Sequence, residues 1–372
     1  MSPKAIVLQD TRQALRRTAQ SLTVPVLSVL ASFVVGGLLI ASIRVNPFGA
    51  YWSLFQGAFG GAYSFGDSLV KMTPLIFTGL SVAFARRCGM LSIGAEGQLY
   101  AGAVGATIVA LQLGNSSPWV AQPLAIIAGF IGGGIIGAIP GWLRARLGVS
   151  EIINTIMLNY IAVYSTTYLL NHSLQEEAGM FPQSPEFGPA MRLPLLVKGT
   201  RLHLGFILAL LAAYAVYVIL WKTTLGYQIR AVGLNAEAAR YGGIDVGRNM
   251  VVAMFISGGL AGLAGAVEVI GVHQRLIEYF AGGVGYNGVA VALLGQSTPQ
   301  GVVASAFLFG ALRTGANQMQ RSHGVPITIV YVIQGLVVMF VVAAYNLKYI
   351  TRRLNSILPR PTAARVERRD AA

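Results

Sequence analysis

The chain has 372 residues, 55% of them hydrophobic and only 11% charged, with a mean hydropathy of +0.63. Soluble domains carry about 25% charged residues, so this chain could not cover itself with polar surface in water, which excludes a soluble enzyme and a disordered protein. The formal net charge of +14 looks like a nucleic-acid footprint in sum, and where the charges sit must decide that. A single cysteine, Cys88, excludes a disulfide framework and a cysteine-based zinc site. The four histidines are scattered and none sits in an HExxH spacing, so no metal site is expected.

A transmembrane helix needs about 20 apolar residues to cross about 30 Å of hydrocarbon, so stretches without Asp, Glu, Lys or Arg mark the spans. Residues 1–22 are a polar, basic tail, and Thr23–Ile43 is the first clean span. Its apolar run exceeds the usual signal-peptide core, and it reads as a retained anchor. Met72–Ala85 is short, but it crosses if the helix begins near Asp67, which pairs with Lys71 at i,i+4.

After Arg86-Arg87 comes Cys88-Gly-Met-Leu-Ser-Ile-Gly-Ala-Glu96-Gly-Gln98-Leu-Tyr100, polar and glycine-rich at membrane depth. Irregular backbone is tolerated there only if buried in protein or lining a wet cavity, and an intramembrane carboxylate points to function. Two readings stand for Glu96. One is structural glue near Arg86 or Arg87; the other is a broken or re-entrant helix along a solute path.

Gly97–Leu143 holds two spans separated by Asn115-Ser116-Ser117-Pro118. Gly129, Gly133 and Gly137, with Gly258 and Gly262 later, have the spacing of close helix packing. Ile152–Asn171 is a more polar span. A loop of about residues 172–203 follows, with three glutamates and four prolines. It reads as a connector ordered by packing on a neighbour, or as a dock for a solute-carrying partner.

Leu202–Trp221 and Asn249–Val267 are further spans, and Tyr279–Leu312 reads as two shorter helices broken at Ser297-Thr298-Pro299-Gln300-Gly301. Its glycine-rich start, Gly282 to Gln296, is a counterpart of the Cys88–Tyr100 segment, and paired interruptions mark a transporter's central path. Ser322–Leu347 is the last span, and residues 348–372 form a second basic tail. The fold class expected is all-α: a polytopic bundle of about ten transmembrane helices spanning residues 23–347, with broken or re-entrant segments.

With both termini placed in the cytoplasm, 19 of the 27 Lys and Arg residues fall on that side, as the positive-inside rule requires. The charge is thus a topology signal. Its expected partner is anionic lipid, not nucleic acid.

Between Trp221 and Asn249 lies a constructed loop. Asn235 is a good N-cap, Ala236–Tyr241 is a strong helix former, Glu237 suits the helix dipole, and Gly242-Gly243 supplies a stop. A short rigid helix of this kind, on the cytoplasmic side, suits another protein's groove. Glu237-Ala238-Ala239 with Gly243 resembles the EAA…G loop of ABC-importer permeases, although the Ile-x-Leu-Pro end of the fullest motif is absent. Gly89–Gln98, Glu151–Ile161, Leu225–Asn235 and Gly285–Pro299 are similar to the permeases serving simple sugars, nucleosides and branched-chain amino acids, most of all the nucleoside type. The resemblance spans roughly residues 25–345.

The resemblance implies a coupling segment of Arg230, Gly233, Asn235, Glu237, Ala238, Ala239 and Gly243. It also implies an ATPase with two fused cassettes, a second, paralogous permease forming a heterodimer, and an extracytoplasmic solute-binding lipoprotein. The chain has no Walker A sequence, so it is expected to hold no cofactor and to leave ATP-Mg to the partner. The expected function is translocation of a nucleoside or related ribose-containing solute across the bacterial inner membrane by alternating access. The expected path residues are Glu96, Gln98, Asn154, Asn159, Glu268, Asn287 and Gln296. The competing class is a self-sufficient secondary transporter or channel, with Glu96 or Glu268 as its ion-coupled carboxylate. An intramembrane enzyme lacks support, and no catalytic residue is expected.

Overall fold

The computed structural model describes residues 27–357 apart from 115 and 178–180, and for 345–357 the backbone alone. The basic tails at 1–22 and beyond 357 lie outside the described residues. The helices are α1 (Leu27–Ser42), α2 (Pro47–Phe59), α3 (Ala62–Arg87), α4 (Ala95–Leu113), α5 (Pro118–Leu147), α6 (Glu151–Leu170), α7 (Gly205–Lys222), α8 (Thr224–Leu234), α9 (Ala236–Tyr241), α10 (Val246–Glu268), α11 (Val284–Leu294), α12 (Pro299–His323) and α13 (Ile327–Ile357). A π-turn, Val269–His273, closes α10. Among the described residues the only β pairing is two isolated bridges. The protein is an all-α polytopic membrane bundle.

Among the described residues five helices are long and apolar enough to cross a membrane, or six if α1 and α2, bent by 119° at their break, form one span. Helices α4, α6 and α12 have 19, 20 and 25 residues, which also match about 30 Å of hydrocarbon, but they are less apolar. The two helices expected of Tyr279–Leu312 are present and unequal. Helix α11 has only 11 residues, about 16 Å at 1.5 Å per residue, so it reaches about halfway. Its first turn starts beyond a glycine stop, and Gly295 ends it.

The chain divides into two compact units. One holds the first turns of α1 and the chain from Ile333 onward; the other, Gly36–Val332, holds everything that follows. At its centre is α3, in which every residue from Met72 to Ala85 is buried. This stretch crosses inside protein, which is why it tolerates Pro74 and the hydroxyls of Thr73, Thr78 and Ser81. Thr78 Oγ1 donates back to the Pro74 carbonyl at 3.0 Å. The expected Asp67–Lys71 pair closes at 3.0 Å.

The glycine stripes meet each other. Gly133 and Gly137 of α5 lie against Gly258 and Gly262 of α10 so closely that a Cβ on Gly133 would stand 2.6 Å from Gly262 Cα. A Cβ on Gly262 would overlap the Gly129 carbonyl oxygen. Small residues thus let two backbones touch where lipid supplies no hydrophobic drive.

The 172–203 loop is ordered by the segment after the π-turn. Ser184 N–H donates to the Leu276 carbonyl at 2.8 Å, and Phe187 N–H donates to the Gln274 carbonyl at 2.9 Å. Arg275 lies 3.6 Å from both Glu176 and Glu186. At the loop's end His203 is buried, with Gly205 N–H donating to its Nδ1 at 3.1 Å. Its imidazole also fills the space a Cβ on Gly271 would need.

Gly262→Val is expected to cost about 3 kcal/mol or more, because the obstacle is backbone; Gly335→Ala, which meets open space, should cost little. Thermal unfolding in detergent measures both. Burial pushes the His203 imidazole down to about 4 from its ordinary 6.5. Since the folded value lies below the unfolded one, the unfolded chain takes up a proton that the folded one resists, and stability falls as pH drops from 6.5 towards 4. The melting temperature should drop across that window, and His203→Gln should flatten the drop.

Candidate functional site: two glycine-rich segments and a projecting helix

Between α3 and α4 the backbone from Cys88 to Gly94 is not helical, so its peptide groups need partners from the protein. Helix α6 supplies them from one stripe at i, i+4 and i+8. Leu91 N–H donates to Glu151 Oε1 at 3.4 Å, and Ile93 N–H donates to Thr155 Oγ1 at 3.3 Å. Gly97 N–H donates to Asn159 Oδ1 at 2.8 Å, and Asn159 Nδ2 donates to the Ile93 carbonyl at 2.9 Å and the Tyr286 hydroxyl at 3.4 Å. Glycine at 97 is required by the approach, since a Cβ there would stand 2.6 Å from Asn159 Cα.

The second glycine-rich segment closes on the first. Glu96, in the first turn of α4, is buried. Its Oε1 accepts from Gly283 N–H at 3.1 Å and its Oε2 from Gly285 N–H at 2.6 Å. One carboxylate therefore sits at two helix N-termini, satisfies two orphan donors of α11 and meets both helix dipoles favourably. On the other side Arg313 Nη2 donates to the Gly282 carbonyl at 3.2 Å. The partners of Glu96 are Gly283 and Gly285, not Arg86 or Arg87.

Of the other expected path residues, Asn159 and Gln98 join this cluster. Gln98 is buried and its Oε1 has no partner. Asn154 also keeps a buried, unpartnered Nδ2, and Asn287 is half-buried in the first turn of α11. Glu268 stands elsewhere, 3.7 Å from His273 across the π-turn. Gln296 is exposed at the far end of α11. Sequence reasoning missed Thr155 and Glu151, although the i, i+4, i+8 stripe on α6 was the available signal.

Helix α9 is built as its residues dictate. Asn235 caps it, its Oδ1 accepting from Ala238 N–H at 3.0 Å. Gly242 ends it, and Gly243 carries φ +79°. Ala239 faces inward, whereas Glu237, Ala238 and Arg240 are exposed. Leu234, the last residue of α8, and Tyr241, the last of α9, are 89% and 95% exposed. Behind α9, Gly233 packs against Gly89 and the Arg87 carbonyl with no room for a Cβ. Arg87 donates through Nη2 to the Ser297 carbonyl at 2.9 Å and stacks over Trp221 at 5.2 Å. Arg230 is half-buried and donates to the Gly226 carbonyl at 3.3 Å.

A multi-pass bundle with a broken-helix centre and a braced, projecting helix defines a membrane transport subunit. The family described as branched-chain amino acid transport system permease component matches residues 64–342, and the chain belongs to it. The guanosine ABC transporter permease protein NupP of Bacillus subtilis is 38% identical over 340 residues, 90% of this chain and 96% of that one. The nucleoside ABC transporter permease protein NupB of Lactococcus lactis is 35% identical over 90% of this chain and 94% of its own. The glucose ABC transporter permease protein TsgB13 of Haloferax volcanii is 36% identical over 86% of this chain and 87% of its own. No solved structure matches the chain.

Asn159→Leu should leave Gly97 N–H and the Ile93 carbonyl unpaired and cost about 2–4 kcal/mol, read as thermal stability in detergent. Glu96→Gln keeps acceptor oxygen for one of its two donors and should cost less than Glu96→Ala. A normal melting temperature in Asn159→Leu would remove the bracing role.

Proposed function

We propose that the chain is the permease subunit of an ABC importer for nucleosides. The observation that carries this is the end-to-end likeness to the guanosine permease protein, 38% over nearly the whole of both chains. The exposed, N-capped α9 supports it. Leu234 and Tyr241 leave apolar area on a surface that water would not favour, and a groove on an ATPase would cover it.

In this reading α9 and both termini face the cytoplasm of a bacterial inner membrane. The ATPase carries two fused cassettes and binds the ATP-Mg, and this chain binds no cofactor. A second, paralogous permease completes a heterodimer, and a solute-binding lipoprotein delivers the nucleoside from the other side. Closure of the ATPase pushes the Asn235–Gly243 segment, and the two permeases rock about a shared path. Gln98 and Asn154 offer that path unpartnered polar atoms, and Asn287 and Gln296 flank α11. Glu96, with two hydrogen bonds already accepted, acts there as a positioning group, and Glu268 lies beside His273.

Glu237→Arg reverses the charge on the exposed face of α9. Gly243→Asp puts a side chain where φ is +79°. Each variant, inserted normally, should lower ATP-dependent nucleoside uptake at least tenfold and weaken co-purification of the ATPase. Normal uptake and normal ATPase binding in both would remove the docking role of α9.

A further inference from the structure

A cavity of about 580 Å³ lies between the end of α2, the first turns of α3 and the C-terminal half of α12. Asp67 is the single carboxylate of its lining, and Lys71 takes it, with Nζ 3.0 Å from Oδ2. Thr314 Oγ1 donates to the same oxygen at 3.3 Å. The guanidinium groups of Arg201 and Arg321 are left over. Neither has a carboxylate partner among the described residues, and Arg321 donates to Gln318 Oε1 at 3.1 Å. The lining therefore keeps two positive charges beyond its own ion pair. Gln56, Ser64 and Asn317 add neutral amides and a hydroxyl. A negative group with several acceptor oxygens matches this set, and guanidinium is the side chain best suited to phosphate.

The cavity stands at a defined depth. From Asp67 to Arg87, along one helix, the chain rises about 30 Å at 1.5 Å per residue, which is the thickness of the hydrocarbon. With Arg86 and Arg87 at one membrane surface, the cavity is at the headgroup level of the other.

It also borders an apolar face. Phe48, Trp52, Phe55 and Phe59 recur at helical spacing on α2 and are exposed. The Phe59 ring lies 5.0 Å from that of Phe55 and 6.0 Å from that of Phe307 on α12. Gln56 and Gly60, which line the cavity, each follow one of these rings in sequence and so stand beside it. A cationic cavity next to an exposed aromatic face at the edge of the hydrocarbon fits an amphiphile. A free anion would leave the aromatic face uncovered.

We propose that this cavity holds the phosphate of an anionic phospholipid, whose acyl chains lie along the aromatic face of α2. Arg201 and Arg321 donate to the phosphate oxygens, and the amides and hydroxyl take the glycerol. A zwitterionic lipid would bring an ammonium group into a lining that already has surplus positive charge, so a headgroup without one is selected. The bound lipid joins α2 to α12 and to the loop before α7 that carries Arg201. The inference needs only a membrane-spanning bundle and stands apart from the choice of solute.

The test uses the complete transporter in micelles of a nonionic detergent. Trp52 lies beside the cavity, so lipid with brominated acyl chains should quench the part of the fluorescence that Trp52→Phe removes. Half-maximal quenching is expected at about tenfold less brominated phosphatidylglycerol than brominated phosphatidylcholine. Unbrominated phosphatidylglycerol should raise the melting temperature by about 4 °C. Arg201 and Arg321 are exposed, and changing both to Gln should bring the two lipids within about twofold of each other. Arg146→Gln, an exposed arginine in the last turn of α5, should leave the preference intact. Equal quenching by the two lipids, or a preference that survives in the double variant, would overturn the proposal. The comparison of lipids on the unaltered arginines keeps the proposal open to refutation even if the double variant fails to fold. Equal stabilisation by inorganic phosphate or glycerol 3-phosphate would overturn it in favour of a free anion. No lipid preference, combined with loss of solute-binding protein from the double variant, would overturn it in favour of a protein interface.

Discussion

The constraint on which the rest depends is the demand of the non-helical backbone between α3 and α4. Inside hydrocarbon a peptide group without a partner costs several kcal/mol. The chain meets this with three side chains on one stripe of α6, Glu151, Thr155 and Asn159. Bringing α6 that close requires glycine at 97. It also sets where α4 starts, and so where Glu96 sits. Glu96 then receives the amides of Gly283 and Gly285, and this lets α11 begin in mid-bundle as a helix of 11 residues. The broken helices are consequences of one satisfied loop.

The same loop meets the segment that carries α9. Gly89 and the Arg87 carbonyl lie against Gly233, and Arg87 reaches the Ser297 carbonyl beyond the end of α11. Helix α8 is held from inside by the buried Ile229 and Val232, and α9 by Ala239. The projecting helix therefore rests on the ends of two other helices. A displacement of α9 would enter the bundle at its non-helical joints, which bend at lower cost than a helix interior.

Much of this was legible in the residues. The limits of α9 follow from Asn235 and Gly242-Gly243, and the glycine stripes were correctly read as packing. The two glycine-rich segments were recognisable as a pair, since both combine glycine, polar residues and a following small-residue helix. Their mutual contact was not legible, because nothing local to residue 96 names residues 283 and 285 as partners. Asn159 was picked out as a polar residue in a span, but its work in bracing Ile93 and Gly97 depends on distance in space. A cavity between α2, α3 and α12 was invisible for the same reason: Asp67 of α3, Arg321 of α12 and Arg201 of the loop before α7 meet only through tertiary packing.

The charge distribution gains meaning from the residues that depart from it. Eight basic residues fall outside the side that the positive-inside count favours. Four of them are partnered as follows. Arg192 pairs with Glu186 at 3.0 Å, Arg275 bridges Glu176 and Glu186, Lys71 pairs with Asp67, and Arg313 donates to the Gly282 carbonyl. A cation kept against the topological bias gains from such a compensating contact. Arg201 and Arg321 have no carboxylate partner among the described residues. Where no carboxylate is at hand the contact is weaker: Arg321 donates to Gln318 Oε1 at 3.1 Å.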